Sequence, residues 1–192
     1  MRKLVYFIGV SIDGVIAGPA GEAEFYPLNP EMVAHVRAEF PETMPTHIRP
    51  HIGIAASTPN KRYDTVIMGR GTYQVPLDEG NPNPFAHLRQ YVVSRSLTGA
   101  GPAVTVVPGD PLALARRLKA EEGGLDIWLC GGGTLAGQLL PEIDELVVKS
   151  YPVVAGGGRP MFDGGFSPRA FTPVEVLPFG HGGTITTYRP VQ

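Results

Sequence analysis

The chain has 192 residues, 43% of them hydrophobic and 18% charged, with a formal net charge of -2. This is the balance of a globular chain able to bury one substantial core, and it excludes an intrinsically disordered protein. The weak negative charge offers no general nucleic-acid surface and no polybasic membrane anchor. Cys130 is the only cysteine, which excludes an intramolecular disulfide and a cysteine-based zinc site.

Taken in chain order, Met1 to Phe7 is basic and then apolar, as a signal peptide is. Ser11-Ile12-Asp13-Gly14 breaks the run early, with no small-residue cleavage site after it. No apolar run is long enough to span a membrane, so a single soluble cytoplasmic domain is expected. Leu4 to Val10 is a near-continuous apolar run, the pattern of a strand covered on both faces. Asp13-Gly14 signals a turn, and Val15 and Ile16 resume briefly. Asn29-Pro30-Glu31 has the make-up of a helix start: an N-cap, a proline in the first turn and an acid near the positive end. Met32, Val36 and Phe40 then recur every four residues, and Pro41 ends the helix. Residues 41 to 63 contain four prolines and no clean periodicity, which predicts a long irregular connection. His47 and His51 there have the spacing of a metal pair, but Pro50 between them argues against a regular helix, and no metal site is expected.

Thr65 to Met68 is a short buried strand leading into Gly69-Arg70-Gly71-Thr72-Tyr73. Gln90 to Val93 is another, ending at Ser94-Arg95-Ser96, and Ala103 to Val107 a third. Asp110-Pro111 caps a helix closed by Gly123-Gly124, with Glu121 and Glu122 unfavourably placed at its negative end. Ile127 to Cys130 then runs into Gly131-Gly132-Gly133-Thr134 and a short helix stopped by Pro141. Glu145 to Val154 is a long strand interrupted by Pro152, a glycine-rich loop spans Ala155 to Pro160, and two final strands form a hairpin. The alternation predicts an α/β fold: a mostly parallel sheet with helices on both faces and an antiparallel hairpin at one edge. Ligands bind at the carboxyl ends of such strands, where the turns at Gly69, Ser94 and Gly131 would gather. Glycines there allow a phosphate close to the backbone, and helix N-termini attract it.

Val66 to Tyr73, Val93 to Ser96 and Cys130 to Leu135, in that order, resemble the three cofactor motifs of the dihydrofolate reductase superfamily. Val10 to Ile16 resembles its first strand and turn. Pro152 to Phe162 is more similar to the branch that contains the C-terminal reductase domain of the bacterial riboflavin-biosynthesis enzyme. The resemblance covers nearly the whole chain, with residues 41 to 63 poorly matched. It implies a dihydrofolate-reductase-like, eight-stranded sheet, a bound NADPH and a homodimer. It also implies cofactor roles for individual residues. Gly69, Arg70 and Thr72 would open a helix against the phosphates, and Ser94 and Arg95 would hold the 2′-phosphate. Gly131, Gly132, Gly133 and Thr134 would meet the pyrophosphate, with Leu135 or Ile16 bordering the cofactor. Glu31 matches the acid of folate reductases, although any first helical turn favours an acid. Asp13 is a second catalytic candidate that an Asp-Gly turn explains equally well. The activity implied is hydride transfer to a small pterin-like, pyrimidine-like or carbonyl compound. The alternatives are a riboflavin-pathway ribosylamino-pyrimidine reductase and a non-catalytic NADPH-binding protein. Efficient reduction of dihydrofolate itself is not expected.

Overall fold

A computed structural model describes residues 1–191. The elements are β1 (Leu4–Val10), β2 (Val15–Ala17), α1 (Pro30–Glu39), β3 (Tyr63–Gly69), α2 (Arg70–Asp78), β4 (Arg89–Val93) and β5 (Val104–Val107). They continue with α3 (Pro111–Ala120), β6 (Asp126–Gly131), α4 (Gly133–Leu139), β7 (Glu145–Ser150), β8 (Arg159–Pro160), β9 (Phe171–Pro178) and β10 (Thr184–Pro190). Eight strands form one sheet in the order β5-β4-β3-β6-β1-β7-β10-β9, and β2 and β8 form a separate ribbon. The strands from β5 to β7 run parallel, whereas β10 is antiparallel to both β7 and β9.

The order follows from which strands are apolar on both faces. Leu4 to Phe7 of β1 and Ile127 to Leu129 of β6 are buried throughout and take the centre. One core packs Met32 and Val36 of α1 and Tyr73 of α2 against Phe7, Val66 and Trp128. The opposite core packs Leu114 and Leu118 of α3 and Leu135 and Leu139 of α4 against Tyr6, Ile67 and Leu129. The period of two along each strand divides the side chains between these cores. β9 carries Pro173 and Pro178 and is largely exposed, as an outer strand permits. Among the described residues, no helix is long and apolar enough to cross a membrane.

Three features depart from the expectations. β7 ends at Ser150, not Val154. Proline at 152 has no N–H for a ladder, and the chain past it turns to accept a hydrogen bond at Val153 O from Ile12 N at 2.8 Å. The glycine-rich loop contains β8, which pairs antiparallel with β2. Glu121 is not repelled at the end of α3, because Arg2 and Arg89 reach it at 2.9 and 2.7 Å. The Arg89 hydrogen bond first of all lowers its carboxyl below the usual range.

The irregular connection from 41 to 63 is ordered by one carboxylate. Glu42 is fully buried. Its Oε1 accepts from Arg62 N and Tyr63 N at 2.7 and 2.8 Å, and its Oε2 accepts from Lys61 N at 3.2 Å. These N–H groups lie at the entrance to β3, and that of Tyr63, its first residue, is buried and would otherwise lack an acceptor. His87 Nε2 meets Glu42 O at 2.8 Å, which ties the same segment to the chain entering β4.

Candidate functional site

Because β3, β4 and β6 are parallel, their carboxyl ends share one edge of the sheet. The turns after β3 and β6 touch: a Cβ on Gly69 would stand 3.5 Å from Gly131 O. α2 begins immediately at Arg70, and α4 begins at Gly133 with Gly132 as its N-cap. The Gly131–Gly132 peptide is cis, and Gly131 has φ 127, a left-handed value suited to glycine. A cavity of about 1010 Å³ opens across this edge. Its walls are the first turn of α2, the end of β4, the start of α3, the first turns of α4, and Arg159 and Pro160 of β8. That volume is at the upper end for small-molecule sites.

The rim is cationic. Arg70, Arg95 and Arg159 border the cavity. None of the three forms an ion pair among the described residues. Arg70 donates to Ser96 Oγ at 2.7 Å, which holds its guanidinium beside the turn after β4. The Ser94 hydroxyl oxygen accepts from Ser96 N and Leu97 N at 3.3 and 3.0 Å. Its own proton has no acceptor among the described residues and is free to donate. The two carboxylates on the rim are engaged locally. Asp110 accepts from Leu112 N at 2.8 Å, and Asp163 accepts the Thr134 hydroxyl proton at 3.0 Å. An extended polyanion placed here meets fixed cations, a free O–H and backbone N–H groups.

Of the residues named from sequence, Gly69, Arg70, Thr72, Ser94, Arg95, Gly132, Gly133, Thr134 and Leu135 all line this cavity. Their neighbours differ. A Cβ on Gly132 would meet only Thr72 Oγ1, at 3.7 Å, so that glycine leaves room on the cavity side. Gly133 is different: its missing Cβ is occupied by the Pro160 carbonyl, and its own carbonyl accepts from Asp163 N at 3.0 Å. It lines the cavity and is also a packing glycine that lets β8 lie on α4. Gly131 shapes the turn without lining the cavity. Ile16 also lies outside the lining, because β2 leaves the main sheet to pair with β8.

Neither acid borders the cavity. Glu31 is exposed, and its carboxylate accepts from Gly180 N at 2.9 Å, joining α1 to the turn between β9 and β10. Asp13 accepts from Ser11 Oγ at 2.6 Å, Ala155 N at 2.9 Å and Gly156 N at 2.7 Å. The Ser11 hydrogen bond, followed by the two amides, holds its carboxyl down at about 2. Asp13 therefore tethers the glycine-rich loop to the turn after β1. A depressed carboxyl contributes above its unfolded pKa and stops contributing as pH falls through its folded one. The extra protection from hydrogen exchange that the Ala155 and Gly156 amides have over their counterparts in Asp13→Asn should be constant between about pH 7 and 5, where the carboxylate stays ionised. Protection relative to Asp13→Asn should then disappear from about pH 4 to about 2. Equal exchange in parent and variant at pH 6 would remove the tether.

Arg159 is the site residue that sequence reasoning missed. It sits in a motif recognised by resemblance, yet no local signal places it opposite Gly71. The β2–β8 pairing does that: a Cβ on Gly71 would be 3.5 Å from Arg159 Nη1.

The RibD C-terminal domain family model matches residues 2–185. The Bacillus subtilis (strain 168) protein YwjB is 30% identical over 164 residues, covering 84% of this chain and 83% of that protein. A second protein of that strain, YyaP, is 25% identical over 175 residues, covering 84% and 80%. Among solved structures, a candidate riboflavin biosynthesis protein from Shewanella sp. PV-4 superposes with a TM-score of 0.71 at 23% identity, covering 100% of both chains. Dihydrofolate reductase from Enterococcus faecalis, complexed with NADP(H) and RAB-propyl, gives a TM-score of 0.66 at 15% identity, covering 99% of this chain and 97% of that one. At these identities the two structures establish a shared dihydrofolate-reductase-like fold.

Proposed function

Since the chain belongs to the RibD C-terminal domain family, we propose that it is an NADPH-dependent reductase of a small heterocyclic or carbonyl compound. The observation that carries this reading is the cavity rim: three arginines without carboxylate partners among the described residues and a buried serine whose hydroxyl proton has no acceptor among them, set around glycine turns. Ser94 and Arg95 suit a 2′-phosphate, one as O–H donor and the other as fixed charge. Arg70 at the start of α2 and Arg159 beside Gly71 both border the cavity and suit the pyrophosphate. Gly132 leaves space for that group beside Thr72. NADPH, when bound, supplies the hydride. The chain's part is to hold it, orient it and exclude water. Glu31 and Asp13 have structural partners, which supports leaving both outside the chemistry. A pyrimidine substrate of the riboflavin type is favoured by the family, and dihydrofolate by neither the connection from 41 to 63 nor Glu31. A homodimer is supported by the outer strand β9, whose Val174 and Val176 are exposed and which a second copy could cover.

Arg95→Ala should weaken NADPH binding by about tenfold or more, the range for a lost charged hydrogen bond, and leave NADH binding nearly unchanged. Fluorescence titration with both cofactors measures this. Equal losses for the two would take Arg95 off the 2′-phosphate.

A further inference from the structure

One lysine remains unaccounted for among the described residues. Lys149 lies near the end of β7, in register with Gly9 of β1. It points to the α1 face, as does Val147 two residues earlier. Its Nζ is 4.5 Å from the centroid of the Phe7 ring, and its Cε is 3.8 Å from where a Gly9 Cβ would stand. The chain has four lysines. Lys3, Lys61 and Lys119 pair with Glu145, Glu39 and Asp144 at 3.5, 3.4 and 2.8 Å. Lys149 alone has no carboxylate partner and no hydrogen bond among the described residues. An unpaired ammonium in a desolvated setting is costly, and such groups gather at working sites.

Its position gives it work to do. β7 adjoins β1, and β1 adjoins β6, whose end is Cys130-Gly131. Lys149 is therefore at the carboxyl end of the sheet, on the side of the glycine turn opposite Arg70 and Arg95. A dinucleotide held by its phosphates on the arginine side would extend toward this end. Phe7 is buried beneath the ammonium, Tyr151 borders Gly9 with its ring 3.2 Å from where a Cβ would stand, and the half-buried Lys149 reaches past them toward solvent. Tyr26 stacks on Tyr151 with ring centroids 4.6 Å apart and donates its hydroxyl proton between Gly9 O and Val15 O, at 3.1 and 2.9 Å. These aromatic surfaces suit a flat ring.

We propose that Lys149 is the proton donor of the reduction, and that the substrate presents the heteroatom of a ring C=N or C=O to its ammonium. This rests on the reductase reading above. The substrate carbon receives hydride from the reduced nicotinamide, which is oxidised, and the C=N or C=O π bond breaks. The heteroatom takes the proton from Lys149, and water returns a proton to the neutral amine. Burial pulls the Lys149 ammonium down to about 8, so it is charged at neutral pH yet a better acid than an exposed lysine. The acid form is the active one, so turnover falls as pH rises through about 8. The titratable groups around it are Cys130 of β6, Tyr151 after β7, Tyr26 stacked on that ring, and His35 of α1, which lies beyond Phe40. Burial pushes the Cys130 thiol up to about 12, so it stays neutral there.

The test has two readouts. Reductive ¹³C-methylation of the lysines followed by NMR titration, with Lys149→Met for assignment, should show Lys149 titrating near pH 8 and its resonance moving when NADPH is added. NADPH oxidation is then measured with 7,8-dihydropterin, dihydrofolate, an aminopyrimidinone and a cyclic imine. Lys149→Met should lose about 100-fold or more in kcat and the alkaline limb near pH 8, with NADPH affinity unchanged. Lys149→Arg keeps the charge without the usable proton and should be similarly impaired. Should Lys149→Met instead fail to fold, the titration and Lys149→Arg decide. Wild-type kcat and pH profile in Lys149→Met or Lys149→Arg, or an ordinary lysine titration indifferent to NADPH, overturns the proposal while the reductase reading stands. Absence of NADPH binding or oxidation in the wild type overturns both.

Discussion

Gly132→Asp is expected to reduce NADPH affinity by more than about 100-fold, the largest binding effect anticipated in this chain. The backbone there has φ -89 and ψ -166, within reach of any residue, and a Cβ would meet only Thr72 Oγ1 at 3.7 Å. A side chain at 132 thus enters the cavity and not the core. It would occupy the space proposed for the pyrophosphate, and its carboxylate would oppose the phosphate charge in a poorly solvated cleft. Gly132→Ala keeps the steric part and loses the charge, and should weaken binding less. Isothermal calorimetry reads the affinity, and circular dichroism reports whether the fold persists. Wild-type affinity in a folded Gly132→Asp protein would place the pyrophosphate elsewhere.

The adjacent glycine should behave differently. Gly133→Ala is expected to destabilise the protein by about 2–3 kcal/mol, within the range for overpacking a filled site. The new methyl would overlap the Pro160 carbonyl, with Asp163 N at 3.5 Å behind it. Both neighbours are backbone, so neither can swing aside as a flexible side chain would. Gly137→Ala meets the Asp163 carbonyl in the same way, one turn further along α4. Each substitution should lower Tm by about 5 °C or more, given about 2–4 °C per kcal/mol at this size. Pro160 is forced to move and Arg159 is its neighbour, so Gly133→Ala should also weaken NADPH binding, but less than Gly132→Asp does. A Gly133→Ala protein as stable as wild type would mean that β8 does not rest on α4 as described.

These contrasting glycines show how far residues alone carry the argument. Gly131, Gly132 and Gly133 are indistinguishable in a linear reading, and the triplet marks only a turn where a backbone can come close to something. Which glycine faces a ligand, which faces Pro160 and which needs a left-handed φ depends on where β8 lies. β8 is 26 residues or more downstream of that turn. The same holds for Arg159, carried to the cavity by pairing with β2, and for Lys149, whose surroundings are set by Phe7 of β1, Cys130 of β6 and Tyr151.

What the sequence determined by itself was local and periodic. The apolar runs of β1 and β6 placed them as interior strands, because only residues covered on both faces lack alternation. Asn29 and Asp110 marked helix starts through their side-chain caps, which bond Met32 N and Leu112 N at 3.0 and 2.8 Å. The three turns were found because each pairs a strand end with glycine or hydroxyl residues, and parallel pairing brings such ends to one edge. Tertiary structure alone decided the partners of the ionisable groups. Glu31 looked like a pterin-binding acid and is held by Gly180; Glu42 drew no notice and orders the entrance to β3. A carboxylate's neighbours come from distant parts of the chain, and its chemistry is set by the charges, amides and solvent that folding puts around it.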